Sequence, residues 1–470
     1  MNTPLRFGTD GWRGVIGDAF TFGNLERVAA ATASILPSGP VVIGHDHRFM
    51  AQAHADRVAE VFSSAGFEVL RVRDPLPTPA LSGLVVSHAA AAGIMLTASH
   101  NPPRFGGFKI KLCSGGSAPE EFTRQVEDAL DVSPVRRMAA DDARAAGRWT
   151  DIDFKQVYRH RVMKRLDMEA LSTAPPLTIV VDSMHGTGNH LIADFLRDTP
   201  HRVITLHGDR DVLFGGMPPE PVAERLTALR QAIAEHGADL GVANDGDADR
   251  VAAMDETGQF LSALRITPLL AHHLITHHHE AGDLARTTAN TLLLDRIAAA
   301  HGRQIHVRPI GFKNLAPLLE DGTALIAGEE SGGIGVAGYL PERDGLLMAL
   351  LLLEARVHGG RPLSKLLAAL WREYGEFHYR RLDLAVPRPH AAAMVADLAA
   401  APPDAVAGLP VTAVDVDDGT KLSLGDAGWI MIRCSGTEPV LRVYCEARSP
   451  EEVEQLLDEM ARRVTPDPAS

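Results

Sequence analysis

The sequence predicts an α/β protein with mixed, mainly parallel sheets, closed by a smaller α+β segment. Two observations carry this reading. Short apolar runs alternate with helix-length segments three times: from Val41 to Leu96, from Leu177 to Val242, and from about Leu264 to Ala327. That rhythm belongs to βαβ units and parallel sheets. From Arg381 to Glu446 the pattern changes, and strand-like runs dominate. No sequence repeat links the three segments. A length of 470 residues asks for about three or four domains. Joints near Thr150, Asp255 and Leu370 divide the chain into 1–150, 151–254, 255–370 and 371–470.

In the first segment Val41-Val42-Ile43-Gly44 reads as a strand, Ala51 to Ala65 as a helix and Phe67-Glu68-Val69-Leu70 as a strand. A link with Pro75, Pro77 and Pro79 leads to another helix and then to the buried strand Gly93-Ile94-Met95-Leu96. Thr97-Ala98-Ser99-His100-Asn101-Pro102 follows directly, and its Asn-Pro step stops regular structure in a turn. Such a turn presents the Ser99 hydroxyl at the carboxyl edge of a sheet, where open α/β folds place ligands. An ordinary Asx turn fits the same residues. Lys109 brings a positive charge ten residues later.

Composition narrows the function. Net charge is −14 without a basic run, which excludes nucleic acid and anionic membranes as partners. An acidic protein that binds phosphates must gather its cations locally. Met1 to Asp10 has no apolar signal core, and the longest apolar stretch, Leu346 to Leu353, is far short of a membrane span. Cys113, Cys434 and Cys445 show neither disulfide nor metal spacing. The expected location is the reducing cytoplasm.

Asn244-Asp245-Gly246-Asp247-Ala248-Asp249-Arg250 follows a buried strand. Carboxylates at alternate positions of an extended segment point to one side and repel unless a cation holds them. Three hard oxygen ligands suit Mg²⁺. A calcium EF-hand loop fails because Arg250 stands where Gly is needed and strands flank the loop. A solvated acidic turn is the bland alternative. Gly328-Glu329-Glu330-Ser331-Gly332-Gly333 follows another buried strand, and a carboxylate with a hydroxyl two residues on can hold neighbouring sugar hydroxyls. Gly333 to Gly338 spells a dinucleotide fingerprint, but Tyr339-Leu340-Pro341 leaves no helix to carry a pyrophosphate.

Arg433-Cys434-Ser435-Gly436-Thr437-Glu438-Pro439 offers an Arg fork, two hydroxyls and a Gly for close backbone approach, which make a phosphate cradle or a polar turn between strands. Thr9-Asp10-Gly11-Trp12-Arg13-Gly14 is Gly-rich without a Walker ending. His272, His273, His277, His278 and His279 include an i, i+4 pair, but no acid sits between them, so they read as a helix face. Asp415-Val416-Asp417-Asp418-Gly419 falls where a hairpin turn is expected, and Ser449-Pro450-Glu451-Glu452 opens the final helix with an N-cap and a capping-box Glu.

A serine nucleophile, a Mg²⁺ trio, a sugar clasp and a phosphate cradle in succession are the parts of phosphoryl transfer on a sugar phosphate. With these motifs in this order, the chain resembles the α-D-phosphohexomutase family over essentially its whole length. The resemblance implies four domains around a central cleft: a phosphoserine domain, a Mg²⁺-binding domain, a sugar-recognition domain and a phosphate-clamp domain. It implies a phosphoserine at Ser99, whose phosphate completes a Mg²⁺ site with Asp245, Asp247 and Asp249. Lys109 and His100 match residues at the reacting phosphate, Lys109 for proton transfer, and Arg13 and Arg250 match cations around it. Glu329 and Ser331 match the pair that reads the sugar. Arg433, Ser435, Gly436 and Thr437 match the clamp on the other phosphate, and Lys313 adds a substrate-facing charge. The partner is a hexose phosphate, with glucose 1,6-bisphosphate as activator, and the protein is expected as a monomer or dimer. Glu329-Glu330-Ser331-Gly332-Gly333 and Trp12 resemble phosphoglucomutase-like members most. That favours glucose over mannose and disfavours glucosamine. Some branches carry a His in the loop where Gly333 stands, so a role given to that His does not transfer.

Overall fold

The computed structural model describes residues 5–435 and 440–464. It divides into two compact units, Met1–Ala285 with Gly311–Leu366, and Arg286–Ile310 with Leu367–Ser470.

The first unit opens with β1 (Trp12–Val15), β2 (Val41–His45), β3 (Val69–Val72), β4 (Ala92–Leu96), β5 (Phe105–Leu112) and β6 (Trp149–Ile152) in the order β1-β5-β4-β2-β3-β6. The β4-β2-β3-β6 pairs are parallel, while β5 runs antiparallel to β4 and to β1. Val41, Ile43, Ile94, Leu96 and Phe108 bury against the helices Phe22–Ile35 and Ala51–Ser64. The strand expected at Phe67–Leu70 begins two residues later. Phe67 packs its ring on Phe62 (5.5 Å between centroids), and pairing starts at Val69 opposite Val41.

A second sheet follows, with β7 (Thr178–Asp182), β8 (Arg202–Leu206), β9 (Leu240–Asn244), β10 (Val251–Asp255) and β11 (Phe260–Leu261) in the order β11-β10-β9-β7-β8. The β10–β11 hairpin carries this sheet past residue 255, because the Asp255 carboxylate accepts from the Thr257 and Gln259 N–H groups and closes the turn. The chain passes to the second unit within β12 (Asp283–Thr287) and returns after β13 (Ile305–Arg308). It then forms β14 (Ala324–Gly328) and, antiparallel to it, β15 (Ile334–Val336). The Gly-rich run from Gly333 is therefore a strand with no nucleotide-binding helix.

Leu346 to Leu353 lies in the helix Gly345–Gly359, which is buried on every side over that stretch. Among the described residues no helix is long and apolar enough to cross a membrane.

The main sheet of the second unit is antiparallel. After β16 (His378–Ala385) a small hairpin joins β17 (Ala405–Val406) to β18 (Leu409–Pro410). With β19 (Ala413–Asp415), β20 (Thr420–Ser423), β21 (Gly428–Cys434) and β22 (Val440–Ala447) the main sheet runs β16-β22-β21-β20-β19. The turn between β19 and β20 falls at Val416–Gly419, with Gly419 at φ 104°, as the sequence requires. The last helix starts at Pro450. Ser449 Oγ accepts from Glu452 N, while the Glu452 carboxylate reaches back to Arg448 N rather than to Ser449.

Candidate active site

β4 ends at Leu96, and the chain turns through Ser99 with φ of 52°, a left-handed conformation that a serine adopts only under constraint. The constraint is Arg48. Its guanidinium donates to the carbonyls of Ser99 (2.6 Å), Asn101 (2.6 Å), Pro102 (2.8 Å) and Phe105 (3.0 Å). Asp46 aims this fork, accepting from Arg48 Nε at 3.1 Å and from Thr97 Oγ1 at 2.6 Å. Burial pushes the Asp46 carboxyl up to about 6, against the pull of Arg48 and Thr97. An ordinary Asx turn has no such scaffold.

The Ser99 hydroxyl donates to Asp245 Oδ2 at 2.6 Å, and His100 Nδ1 lies 3.4 Å from the same hydroxyl. Residues 245–250 do not continue the strand as expected. They turn after β9, with Asp245 O accepting from Ala248 N and Ala248 at φ 55°. The turn still converges the three carboxylates, and one oxygen from each lies within 4.8 Å of the others. Gly246 permits the approach, since a Cβ there would stand 2.7 Å from the Ser99 carbonyl oxygen.

All three aspartates are buried. Asp247 Oδ2 accepts from Thr78 Oγ1 at 2.6 Å and from Lys109 Nζ at 2.8 Å. Lys109 also reaches Asp249 at 2.9 Å and Asp10 at 2.7 Å. Burial disfavours its ammonium, but the three carboxylates outweigh burial and hold Lys109 well above its usual range. The same lysine keeps Asp247 low in spite of burial. Asp245, buried and beside Asp249 and Asp247, is pushed well up. Burial, followed by Arg250, Arg13 and Lys109, holds His100 well below its usual range, so its imidazole is neutral.

Asp247 Oδ1 and Asp249 Oδ1 are buried with no hydrogen-bond partner among the described residues, as is Arg250 Nε. Buried polar atoms are rarely left so. Two free carboxylate oxygens beside a third carboxylate fit a hard divalent cation, and the free guanidinium N–H fits an anion.

Arg13 donates to Asn101 Oδ1 at 2.5 Å, two residues on from Ser99. Arg250 N donates to Asp245 Oδ1 at 3.1 Å, and Val251 N donates to Gly332 O at 3.0 Å, which ties the aspartate turn to the Glu329 loop. Glu329 is buried, accepts from Gly311 N at 3.0 Å and is pushed upward by that burial. Ser331 is half-buried in the same turn. Lys313 lies 3.3 Å from the exposed Glu120. A Cβ at Gly333 would meet Arg343 Cδ at 2.3 Å, so Arg343 fills the place of any side chain there.

The sequence reading passed over Arg343. Its Nη2 donates to Asp10 at 2.6 Å and to Asp249 at 2.7 Å, and its Nη1 lies 3.5 Å from Glu329. One signal pointed to it: Glu342-Arg343-Asp344 stands directly before the apolar run Leu346 to Leu353, where charges have no solvent to face.

In the second unit Arg433 Nε donates to Asp418 Oδ1 at 2.7 Å, and Asp418 Oδ2 accepts from Ile310 N at 2.7 Å. The Asp417-Asp418-Gly419 turn thus anchors the Arg433 fork. Ser435 is buried at the end of β21, its N–H donating to Val440 O. Gly436 and Thr437 lie outside the described residues.

Models of the phosphoglucomutase/phosphomannomutase family match the chain in sequence order. α/β/α domain I matches residues 4–134, domain II 156–258, domain III 265–374 and the C-terminal domain 383–463. A Thermococcus kodakarensis protein named phosphoglucomutase/phosphomannomutase is 30% identical over 96% of each chain. A Rhodococcus erythropolis phosphoglucosamine mutase is 32% identical, over 97% of this chain and 98% of its own. A crystal structure from Thermus thermophilus, of a protein assigned as a phosphomannomutase, superposes with a TM-score of 0.87 at 34% identity, covering 99% of this chain and 100% of its own. The chain belongs to the phosphoglucomutase/phosphomannomutase family, within the α-D-phosphohexomutase superfamily.

Proposed function

We propose that this chain interconverts glucose 1-phosphate and glucose 6-phosphate through a phosphoserine at Ser99 and a glucose 1,6-bisphosphate intermediate. The observation that carries the reading is the Ser99 hydroxyl 2.6 Å from Asp245, beside two carboxylate oxygens left without partners. A sugar hydroxyl attacks the phosphorus. The bond to Ser99 Oγ breaks as the bond to the sugar oxygen forms, and the hydroxyl proton passes through the site to the departing serine oxygen. The bisphosphate then turns around and returns its other phosphate to Ser99 by the reverse exchange.

Asp245, Asp247 and Asp249, with a phosphate on Ser99, would hold Mg²⁺, which supplies charge neutralisation at the transferring phosphoryl group. Lys109 and His100 are assigned to proton movement at the reacting oxygen, and Arg13 and Arg250 to its negative charge. Glu329 and Ser331 read the sugar hydroxyls, and Lys313 adds a substrate-facing charge. Arg433, Ser435, Gly436 and Thr437 clamp the phosphate that is not transferred. An Arg fork and hydroxyls recognise phosphate rather than the rest of the sugar, so one clamp accepts either end. The domain limits that accompany these roles are 1–150, 151–254, 255–370 and 371–470.

Relatives named phosphomannomutase and phosphoglucosamine mutase make mannose and glucosamine 1-phosphates the second readings. A coupled assay on the three 1-phosphates with Mg²⁺ ranks them, and traces of glucose 1,6-bisphosphate should accelerate turnover. Ser99→Ala should abolish mutase activity, and activity that survives it would remove the mechanism. Free phosphate released in step with sugar consumption would point to a Mg²⁺-dependent phosphatase instead.

A further inference from the structure

The histidines from 272 to 279 lack an acid in their own stretch, and the fold supplies one. The helix Ala263–Thr276 carries His273, and His278 follows its end. Glu354, fully buried on the helix Gly345–Gly359, places Oε1 2.8 Å from His273 Nε2 and 2.5 Å from His278 Nε2. Its other oxygen accepts from Asp167 N at 2.5 Å, which sets the plane of the carboxylate. The two ring nitrogens and the carboxylate oxygen all lie within 4.8 Å of one another.

Two more imidazoles crowd the same point. His277 lies 5.2 Å from His273 and 5.0 Å from His358, centroid to centroid, and His358 lies 5.5 Å from His273. A cavity of about 270 Å³ opens beside them, bounded by Lys164, Arg165, Asp167, His277, His278 and His358.

We propose that His273, His278 and Glu354 form a second cation site, selective for a borderline divalent ion of the Zn²⁺ type. Two imidazole nitrogens and one carboxylate oxygen are a donor set such ions take, with a further position open to water from the cavity. Mg²⁺ prefers oxygen ligands and is not expected here. In the ligating form each ring carries its proton on Nδ1 and offers the Nε2 lone pair. Glu280 Oε1 lies 3.6 Å from His278 Nδ1, a carboxylate on the side of that proton, and Arg165 holds Glu280 with two contacts of 2.7 and 2.6 Å. A carboxylate behind a metal-binding imidazole is the usual outer support of such sites. Around an ion with bonds of 2.0–2.1 Å the ligand contacts widen to about 3.3 Å. His278 can provide this movement, because it stands beyond the helix end and keeps some exposure to the cavity. The ion would pin the helices Ala263–Thr276 and Gly345–Gly359 together.

The test is a titration of metal-stripped protein with Co²⁺ in excess Mg²⁺, which occupies the aspartate trio. The wild type should take up one Co²⁺ with the visible absorption of a nitrogen-ligated ion. His278→Ala should bind it at least about ten-fold more weakly, with mutase activity in Mg²⁺ unchanged. No uptake by the wild type, or uptake that His278→Ala leaves intact, overturns the proposal. X-ray absorption of the wild-type Zn²⁺ complex decides without any variant: two imidazole nitrogens support the site, and an all-oxygen shell rejects it.

Discussion

Arg48 shows how much one residue can organise. Four backbone carbonyls, from Ser99, Asn101, Pro102 and Phe105, converge on a guanidinium that is almost wholly buried. Arg48→Met would leave those acceptors unpaired and strand the Asp46 charge, at a cost of about 3–5 kcal/mol. The expected result is a lower melting temperature and loss of mutase activity. Arg48→Lys keeps the charge but not the fork, and should recover stability only in part. A melting curve like the wild type's in Arg48→Met would show that the turn holds itself.

Gly246 gives a second prediction at this scale. Gly246→Ala places a Cβ 2.7 Å from the Ser99 carbonyl oxygen, and backbone has to move. A displacement of that kind should reduce kcat on the order of 100-fold, with little change in far-UV circular dichroism. Ser99 and the three aspartates were legible in the sequence because each sits in a short motif at a strand end. Arg48 and Arg343 were not, because their partners come from up to 57 and 333 residues away.

Among the elements, the helix Gly345–Gly359 links site and core. Its apolar run is packed on all sides, so the charges that precede it are driven inward. Asp344 caps it, accepting from Leu346 N and Leu347 N at 3.1 and 3.0 Å and from the hydroxyls of Tyr158 and Tyr339 at 2.9 and 2.6 Å. Burial nonetheless pushes Asp344 up to about 6, from an ordinary 3.8. The folded state therefore holds a proton that the unfolded chain has lost. Asp344 favours the fold fully below about pH 4, and that contribution is lost as pH rises through 6. Asp344→Asn cannot titrate. Its melting temperature should gain on the wild type's between pH 4 and pH 7, and a constant difference across that range would refute the assignment.

The same helix explains why the apolar stretch was easy to find and its neighbours were not. Hydrophobic runs and capping residues act within a few positions along the chain. The aspartate segment was expected to converge as a strand and instead does so as a turn, since alternation along sequence does not say which backbone shape delivers it.

Across the whole molecule, the decisive contact joins residues 146 positions apart, Ser99 and Asp245. A divalent ion held by this trio as proposed would bind the folded chain and not the unfolded one, and so would stabilise the fold. At one hundred times its Kd, Mg²⁺ should add about 2.7 kcal/mol. Chelation should lower the melting temperature and stop turnover, and Mg²⁺ should restore both. Asp247→Asn should abolish the thermal gain, whereas a gain that persists would place the ion elsewhere.

Chain order alone was enough to read the α/β rhythm, the strand-rich last segment, the serine turn and the acidic trio. All of these depend on periodicity and on residues a few places apart, which neighbours in sequence control. Folding chose what lies opposite each charge: Lys109 among Asp10, Asp247 and Asp249, Arg343 in the space over Gly333, and Glu354 between two histidines. Electrostatic and packing energies act through space and fall with distance. Partners that are remote in sequence therefore become visible only when the backbone brings them within a few ångströms.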